Sequence, residues 1–244
     1  MTRILYEDEA LLAVDKPAGS LVVRGREGEA EPSLVDLLQA ERKEKLFVVH
    51  RMDRGTTGVL LFARDPVSHR ALNQAFEAGR VAKRYLALVR GVPALEELTV
   101  DVALVPARRG KSRPAARGEQ GKPSKTVFHV LERFPGFALL EARPQTGRGH
   151  QIRVHLKYAG YPLAVDPAYA GNEELLKGEV GLEPAGDVLL SRTPLHAQRV
   201  TFLHPATGES LTVEAPLPPD LEVALGTLRG LRGLRGLPRD GQFR

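Results

Sequence analysis

Asp53 is the side chain best suited to nucleophilic or acid–base chemistry. It stands in His50-Arg51-Met52-Asp53-Arg54-Gly55-Thr56-Thr57-Gly58, between the apolar runs Phe47-Val48-Val49 and Val59-Leu60-Leu61-Phe62-Ala63. The pattern predicts a loop held by two strands, which is where reactive groups usually sit. A carboxylate so flanked loses part of its hydration. Burial by itself favours the protonated acid, so Asp53 stays ionised only beside a cation. Ionised and poorly solvated, it is a nucleophile or a base. Composition alone also allows a turn aspartate that caps local amides or pairs with Arg54.

Other chemistries find less support. His50 with Asp53, and His150 with His155, lack HExxH spacing, and the chain has no cysteine. No P-loop is present, no GxGxxG opens a helix after a strand, and no GxSxG offers an acyl-transfer serine. A sugar hydrolase usually needs two carboxyl groups around the bond it cleaves. The loops that carry the polar clusters offer Asp53 without a partner acid.

The elements around these residues follow from apolar periodicity. Ile4-Leu5-Tyr6 and Leu11-Leu12-Ala13-Val14 read as strands around an acidic turn, and Leu21-Val22-Val23 resumes the strand pattern after Asp15-Lys16-Pro17-Ala18-Gly19. Ser33 with Asp36 predicts a capped helix with Leu34, Leu37 and Leu38 on one side. Asp65-Pro66 predicts a second, with Val67, Ala71, Leu72, Ala75 and Phe76 on one face and Gly79 at its end. Tyr85-Leu86-Ala87-Leu88-Val89 reads as a buried strand, and Thr126-Val127-Phe128 and Phe137-Ala138-Leu139-Leu140 as two more. Residues 106–125, rich in Arg, Lys, Gly and Pro, read as a mobile basic loop: either a solvated hairpin tip or a phosphate contact. Residues 150–159 read as a helix with Gly149 near its N-cap and Gly160 as its stop. Arg199-Val200-Thr201-Phe202 and Ser210-Leu211-Thr212-Val213 are late strands, and Asp220 starts a last short helix. The Leu-Arg-Gly triplets from Leu228 to Gly236 predict a frayed basic tail over residues 229–244, after a single domain over 1–228.

The bulk properties fit a soluble protein that meets polyanions. The chain has 244 residues, 42% of them hydrophobic and 27% charged, with a formal net charge of +5. Neutralising phosphates releases counterions, so a basic protein favours nucleic acid. Of the 35 basic residues 26 are arginine, whose fork binds phosphate and stacks on bases. A GC-rich genome or thermophily accounts for the arginine excess equally well. The acidic N-terminus is unlike a signal peptide, and no apolar stretch approaches a membrane span. These features predict a cytoplasmic protein with no membrane partner.

Four ordered motifs carry a family resemblance. His50-Arg51-Met52-Asp53 with Thr56-Thr57-Gly58-Val59-Leu60-Leu61-Phe62-Ala63 resembles the catalytic motif of the ribosomal large-subunit pseudouridine synthase A family. Lys83-Arg84-Tyr85-Leu86-Ala87-Leu88-Val89 resembles its tyrosine motif, and Thr146-Gly147-Arg148-Gly149-His150-Gln151-Ile152-Arg153-Val154-His155-Leu156 its arginine motif. Leu195-His196-Ala197 with His204-Pro205 matches its C-terminal segment. The resemblance spans roughly residues 4–220 and implies a chain that lacks the S4 RNA-binding domain many relatives carry in front. Met52, Thr57 and Gly149 stand where leucine, serine and threonine are usual. Val165 and Ala170 replace common glycines and leave the shape of the 163–171 loop open.

The resemblance implies an α+β pseudouridine synthase fold: a long mixed, mostly antiparallel sheet with flanking helices and a central basic cleft. It implies an RNA isomerase without a cofactor, acting on structured ribosomal or transfer RNA as a monomer. Asp53 would start glycosidic cleavage, by attack on the nucleotide or by proton abstraction from the ribose. Arg153 would keep Asp53 ionised, and Tyr85 would stack on the base and relay a proton. Arg51, Arg54, Arg148 and His150 would hold RNA phosphates. The competing expectation is a non-catalytic RNA-binding or ribosome-assembly protein on the same fold.

Overall fold

A computed structural model describes residues 2–24 and 31–234, with Arg109 and residues 232–234 described by backbone alone. In chain order the elements are β1 (Arg3–Glu7), β2 (Leu11–Lys16), α1 (Leu34–Arg42), β3 (Phe47–Val48), β4 (Thr57–Ala63), α2 (Pro66–Glu77), β5 (Ala82–Arg90), β6 (Glu97–Asp101), β7 (Leu104–Pro106), β8 (Ser112–Pro114), β9 (Lys125–Phe134), β10 (Phe137–Pro144), α3 (Gln151–Tyr158), β11 (Leu175–Leu176), β12 (Val188–Leu190), β13 (Leu195–Leu203), β14 (Ser210–Glu214) and α4 (Pro219–Leu234). The residues read as one domain divide into two compact units, each made of separate stretches of chain. One comprises Met1–Arg84 and His196–Pro216, the other Tyr85–Leu195 and Leu217–Arg244.

In the first unit β2 pairs antiparallel with β1 and β4, β3 pairs antiparallel with β4, and β13 pairs antiparallel with β14. β13 meets β4 in parallel, His196 opposite Thr57 and Ala197 opposite Gly58. Side chains alternate across a strand, and both faces here are covered. Leu11, Ala13, Val59, Leu61 and Ala63 join one core with Leu72 of α2. Leu12, Val14, Leu60 and Phe62 join another with Leu34 and Leu38 of α1. That double burial is why β4 reads as an unbroken apolar run. Ser33 forms a capping box with Asp36 at the start of α1, and the Asp65 carboxylate accepts from Val67 and Ser68 at the start of α2. Val67 itself points to solvent, 76% exposed, contrary to the face assigned from sequence. It lies in the first turn of α2, off the stripe that Leu72, Ala75 and Phe76 lay on the core. Val22 is buried without forming a strand; Leu21 and Val22 instead offer their carbonyls to Leu34 and Val35.

In the second unit β10 lies between β5 and β9, and β6 pairs with β9, all antiparallel. Leu86, Leu88, Phe137 and Leu139 face a core closed by Leu221, Leu225, Leu228 and Leu231 of α4. Ala87, Val89, Ala138, Leu140 and Ala142 face a core closed by Ile152 and Leu156 of α3.

Two sequence expectations need correction here. The helix α4 continues through Leu234, into the stretch expected to be a frayed tail. Buried Leu231 and a paired Arg229–Glu132 outweigh the glycine cost in that stretch. Residues 235–244 lie outside the described residues. The basic 106–125 stretch is an ordered hairpin in part: β7 and β8 pair in register, and Ala115 and Lys122 return backbone bonds to Ala103 and Leu104.

Gly58 leaves no room for a side chain. Its φ is +107°, and a Cβ there would lie 2.2 Å from the Ala197 carbonyl oxygen. Gly58→Ala is expected to cost about 2–4 kcal/mol in urea unfolding, from strain plus displacement of β13. Gly19 has φ +83° but nothing within 4 Å. Gly19→Ala should therefore cost only about 1 kcal/mol, and equal losses at both positions would remove the steric argument.

Candidate active site

The Asp53 loop is held from below by Lys16. Leu12, Val14 and Lys16 share one face of β2, so the lysine enters the core where another aliphatic residue would fit. Its side chain is fully buried. The ammonium donates to the carbonyls of Pro17 at 3.0 Å, Arg54 at 3.1 Å and Thr56 at 2.9 Å. An ammonium has three N–H donors, and each finds an acceptor. Arg54 closes the other side of the loop: its carbonyl accepts from the Gly19 amide, and its Nε donates to the Gly19 carbonyl at 2.8 Å. Between these clamps the Thr56 amide donates to the Asp53 carbonyl, and the Asp53 side chain is half-buried.

Three further contacts fix the loop ends. His50 Nε2 accepts from the Leu61 amide at 3.0 Å, and its ring stacks on Phe76 with centroids 4.7 Å apart. The imidazole thus serves β4 where the two-residue β3 has already ended. Burial, with the Lys83 charge added, pushes the His50 pKa down to about 3, so the ring is neutral. The Thr57 hydroxyl meets His196 Nδ1 at 3.0 Å. His204 Nε2 reaches Asp8 at 2.7 Å, which ties the β13–β14 turn to the β1–β2 turn. The histidines of the catalytic and C-terminal motifs are structural in this unit.

The second unit presents its own polar cluster around α3. Arg153 is buried and gives Nε and Nη2 to the two oxygens of Asp166, at 2.9 and 2.7 Å. The same carboxylate accepts from the Ala168 and Tyr169 amides. The guanidinium carbon stands 5.1 Å from the centroid of the Tyr169 ring. The Tyr169 hydroxyl accepts from the Ser112 amide at 2.9 Å and meets His150 Nδ1 at 2.8 Å. His150, not Gly149, caps α3, with φ 56° and no side-chain cap bond. Its place is taken by Gln151, whose buried amide uses all four bonding sites: Thr146 and the Arg148 amide on its oxygen, Lys125 and Thr126 on its nitrogen. Tyr85 is half-buried on the core that Ile152 and Leu156 share.

The structure thus sorts the residues expected to act on RNA. Arg51 is exposed, without a hydrogen bond or ion pair among the described residues. Arg54 is committed to Gly19 and to Glu31, 2.5 Å away, so its main work is to close the loop. Arg148 is exposed, with Nε on the Pro123 carbonyl at 3.3 Å. His150 belongs to the Tyr169 contact. Sequence reasoning passed over Lys16, Asp166 and Tyr169. Lys16 had a usable signal, a lysine on the inward phase of an apolar strand just before proline. Asp166 had none, because a loop position does not announce its partner.

The model of the family described as RNA pseudouridylate synthase matches residues 10–158, a stretch that contains Asp53, Tyr85 and Arg153. The chain belongs to that family. It is similar to ribosomal large subunit pseudouridine synthase C of Pasteurella multocida, 40% identical over 230 residues, covering 93% of this chain and 68% of the relative. The protein of the same description from Escherichia coli K12 is 38% identical over 235 residues, covering 94% and 70%. Among solved structures, human RNA pseudouridylate synthase domain containing 4 superposes with a TM-score of 0.73 at 29% identity, covering 93% of each chain. The expected fold and enzyme class therefore hold: this family member is an α+β RNA pseudouridine synthase that isomerises uridine to pseudouridine. Among the described residues no helix is long and apolar enough to cross a membrane.

Lys16→Met keeps the length and apolar stem but leaves three carbonyls without their donor. It is expected to cost about 3–5 kcal/mol in urea unfolding and to lower turnover well before the protein unfolds. A stable, fully active variant would mean that the loop stands without its clamp. His50 gives a pH signature. Its folded pKa lies below the ordinary 6.5, so the unfolded chain binds the extra proton, and stability falls as pH drops below about 6.5. His50→Asn should shrink the loss of melting temperature between pH 7.5 and 5.5. An unchanged difference would remove His50 as its source.

Proposed function

We propose that the chain isomerises uridines in large-subunit ribosomal RNA, with Asp53 as the catalytic residue. The observation that carries the target is the 40% identity over 230 residues to a ribosomal large subunit pseudouridine synthase. The reading of Asp53 rests on its motif and on its loop, whose backbone is clamped by Lys16 and Arg54. A reacting carboxylate gains from a backbone that does not have to reorganise as charge develops.

In this reading the target nucleotide leaves its stack and enters the enzyme, because its ring is out of reach inside a helix. Asp53 acts on that nucleotide and the bond from the ribose to N1 breaks. The freed uracil turns, C5 joins the ribose, and the proton on C5 leaves. Tyr85 stacks on the ring and serves that last proton transfer. Arg153 is the cation that keeps Asp53 ionised. Its pairing with Asp166 and its place over Tyr169 fix the plane of the guanidinium before substrate arrives. Arg51 and Arg148, both exposed, take backbone phosphates, with Arg54 and His150 supporting their loops. The enzyme works as a monomer in the cytoplasm.

A pseudouridine map of unmodified ribosomal and transfer RNA, after incubation with wild type and with Asp53→Asn, tests the reading. New pseudouridine in large-subunit RNA with wild type alone is the expected result. Turnover by Asp53→Asn near the wild-type rate would sink the assignment, and modification of transfer RNA alone would sink the target. Arg153→Ala should slow turnover by a factor on the order of a hundred or more, with Arg153→Lys recovering only part of it.

A further inference from the structure

Beside the arginine motif the second unit carries a hollow that the reaction does not use. It has a volume of about 190 Å³ and is walled by Leu104, Val105 and Pro106 of β7, Ser112 of β8, Lys122, and the Gly147-Arg148-Gly149 turn. No carboxylate lines it. Lys122 and Arg148 are both exposed. Neither forms an ion pair among the described residues, although most arginines nearby do: Arg113 pairs with Glu119, Arg143 with Glu141, Arg153 with Asp166. The Arg148 guanidinium gives Nε to the Pro123 carbonyl at 3.3 Å, and its two terminal nitrogens make no hydrogen bond among the described residues. Gly149 leaves room at the mouth, since a Cβ there would meet only Ser112 Oγ, at 3.8 Å.

The walls are held in place rather than draped. β7 and β8 pair in register, Lys122 exchanges two backbone bonds with Leu104, and the Ser112 amide is fixed by Tyr169. The Arg148 amide is fixed by Gln151. Lys122, Arg148 and Ser112 thus line one recess whose walls are held and carry no acid. A recess lined by two cations and no carboxylate suits an anion.

We propose that this hollow is a subsite for a backbone phosphate of the substrate RNA, away from the target uridine, with Lys122 and Arg148 as its ligands. It rests on RNA being the substrate of the family member. A phosphate contact positions the RNA without reading its bases. It also accounts for the order of the hairpin, because β7 and β8 form the outer wall of a grip.

Binding of an unmodified large-subunit ribosomal RNA transcript, measured against salt concentration, tests the subsite for wild type, Lys122→Gln, Arg148→Gln and Lys122→Arg. Each glutamine variant is expected to bind on the order of fivefold more weakly near physiological salt, and to lower the slope of log affinity against log salt by about 0.7–0.9. Lys122→Gln should raise KM, and Lys122→Arg should keep both the slope and the KM of wild type. Wild-type slopes and KM in both glutamine variants would overturn the subsite. So would a fall in kcat at unchanged KM, which would make these residues part of the chemistry. The binding slope is read without turnover. A wild type that binds but makes no pseudouridine would therefore sink the proposed target and leave the subsite standing on its own result.

Discussion

A lysine shut away from water must give its charge and all its donors to the protein, and the first unit is organised around that demand. Removing an ammonium from water costs several kcal/mol unless strong acceptors replace the solvent. Lys16 finds them in three main-chain carbonyls, two of which belong to the Asp53 loop. The strand that carries Lys16 and the loop that carries Asp53 therefore cannot shift independently. Residues 17–19 are drawn in as well, through the two-way bond between Gly19 and Arg54. Carbonyls rather than carboxylates satisfy the lysine in these contacts, so the clamp adds rigidity without adding an acid beside Asp53.

The second unit solves a similar problem with the opposite sign of freedom. Arg153 is buried on a helix of only two turns, which by itself would hold a long side chain poorly. Asp166 grips its fork at two points and is itself gripped by two amides of the following turn. Tyr169 then covers the guanidinium and passes the restraint on to His150 and Ser112. The hairpin, the arginine turn and the 166–169 loop thus act as one polar assembly, although they are far apart in sequence. This is also where valine and alanine replaced the glycines usual in that loop. Val165, one of the two residues that left the shape of this loop open, is fully buried and packs into the core.

What the sequence revealed and what it hid divide along the range of the interaction. Helix caps at Ser33 and Asp65 were legible because the partner lies within three residues. The strands β2 and β4 were legible because each is a continuous apolar run, which burial on both faces explains. The Asp53 loop was legible as a polar break between apolar strands. The Arg153–Asp166 pair was not, because it joins a helix to a loop of ordinary composition. The order of residues 104–114 was hidden for a related reason. Its composition is that of a solvated loop, and its structure comes from backbone bonds and from one tyrosine in another segment. Glycines misled the reading of α4, where a leucine stripe against the sheet overrides local propensity.

The interleaving of the two units has a consequence for how the chain is made. The ribosome releases β4 early, but its parallel neighbour β13 emerges more than a hundred residues later: Thr57 and His196, which share a hydrogen bond, are 139 positions apart. Until then the Thr57–Gly58 end of one β4 edge lacks its native partner, although β3 already covers Phe62 and Ala63, and open edges invite wrong pairing. The second unit's larger stretch, Tyr85–Leu195, is synthesised inside that interval. The Asp53 loop therefore gains its full support only near the end of synthesis. Slow non-local closure of this kind sets the folding rate, so the late steps of biogenesis, rather than the stability of the finished enzyme, are where this chain is most exposed to aggregation.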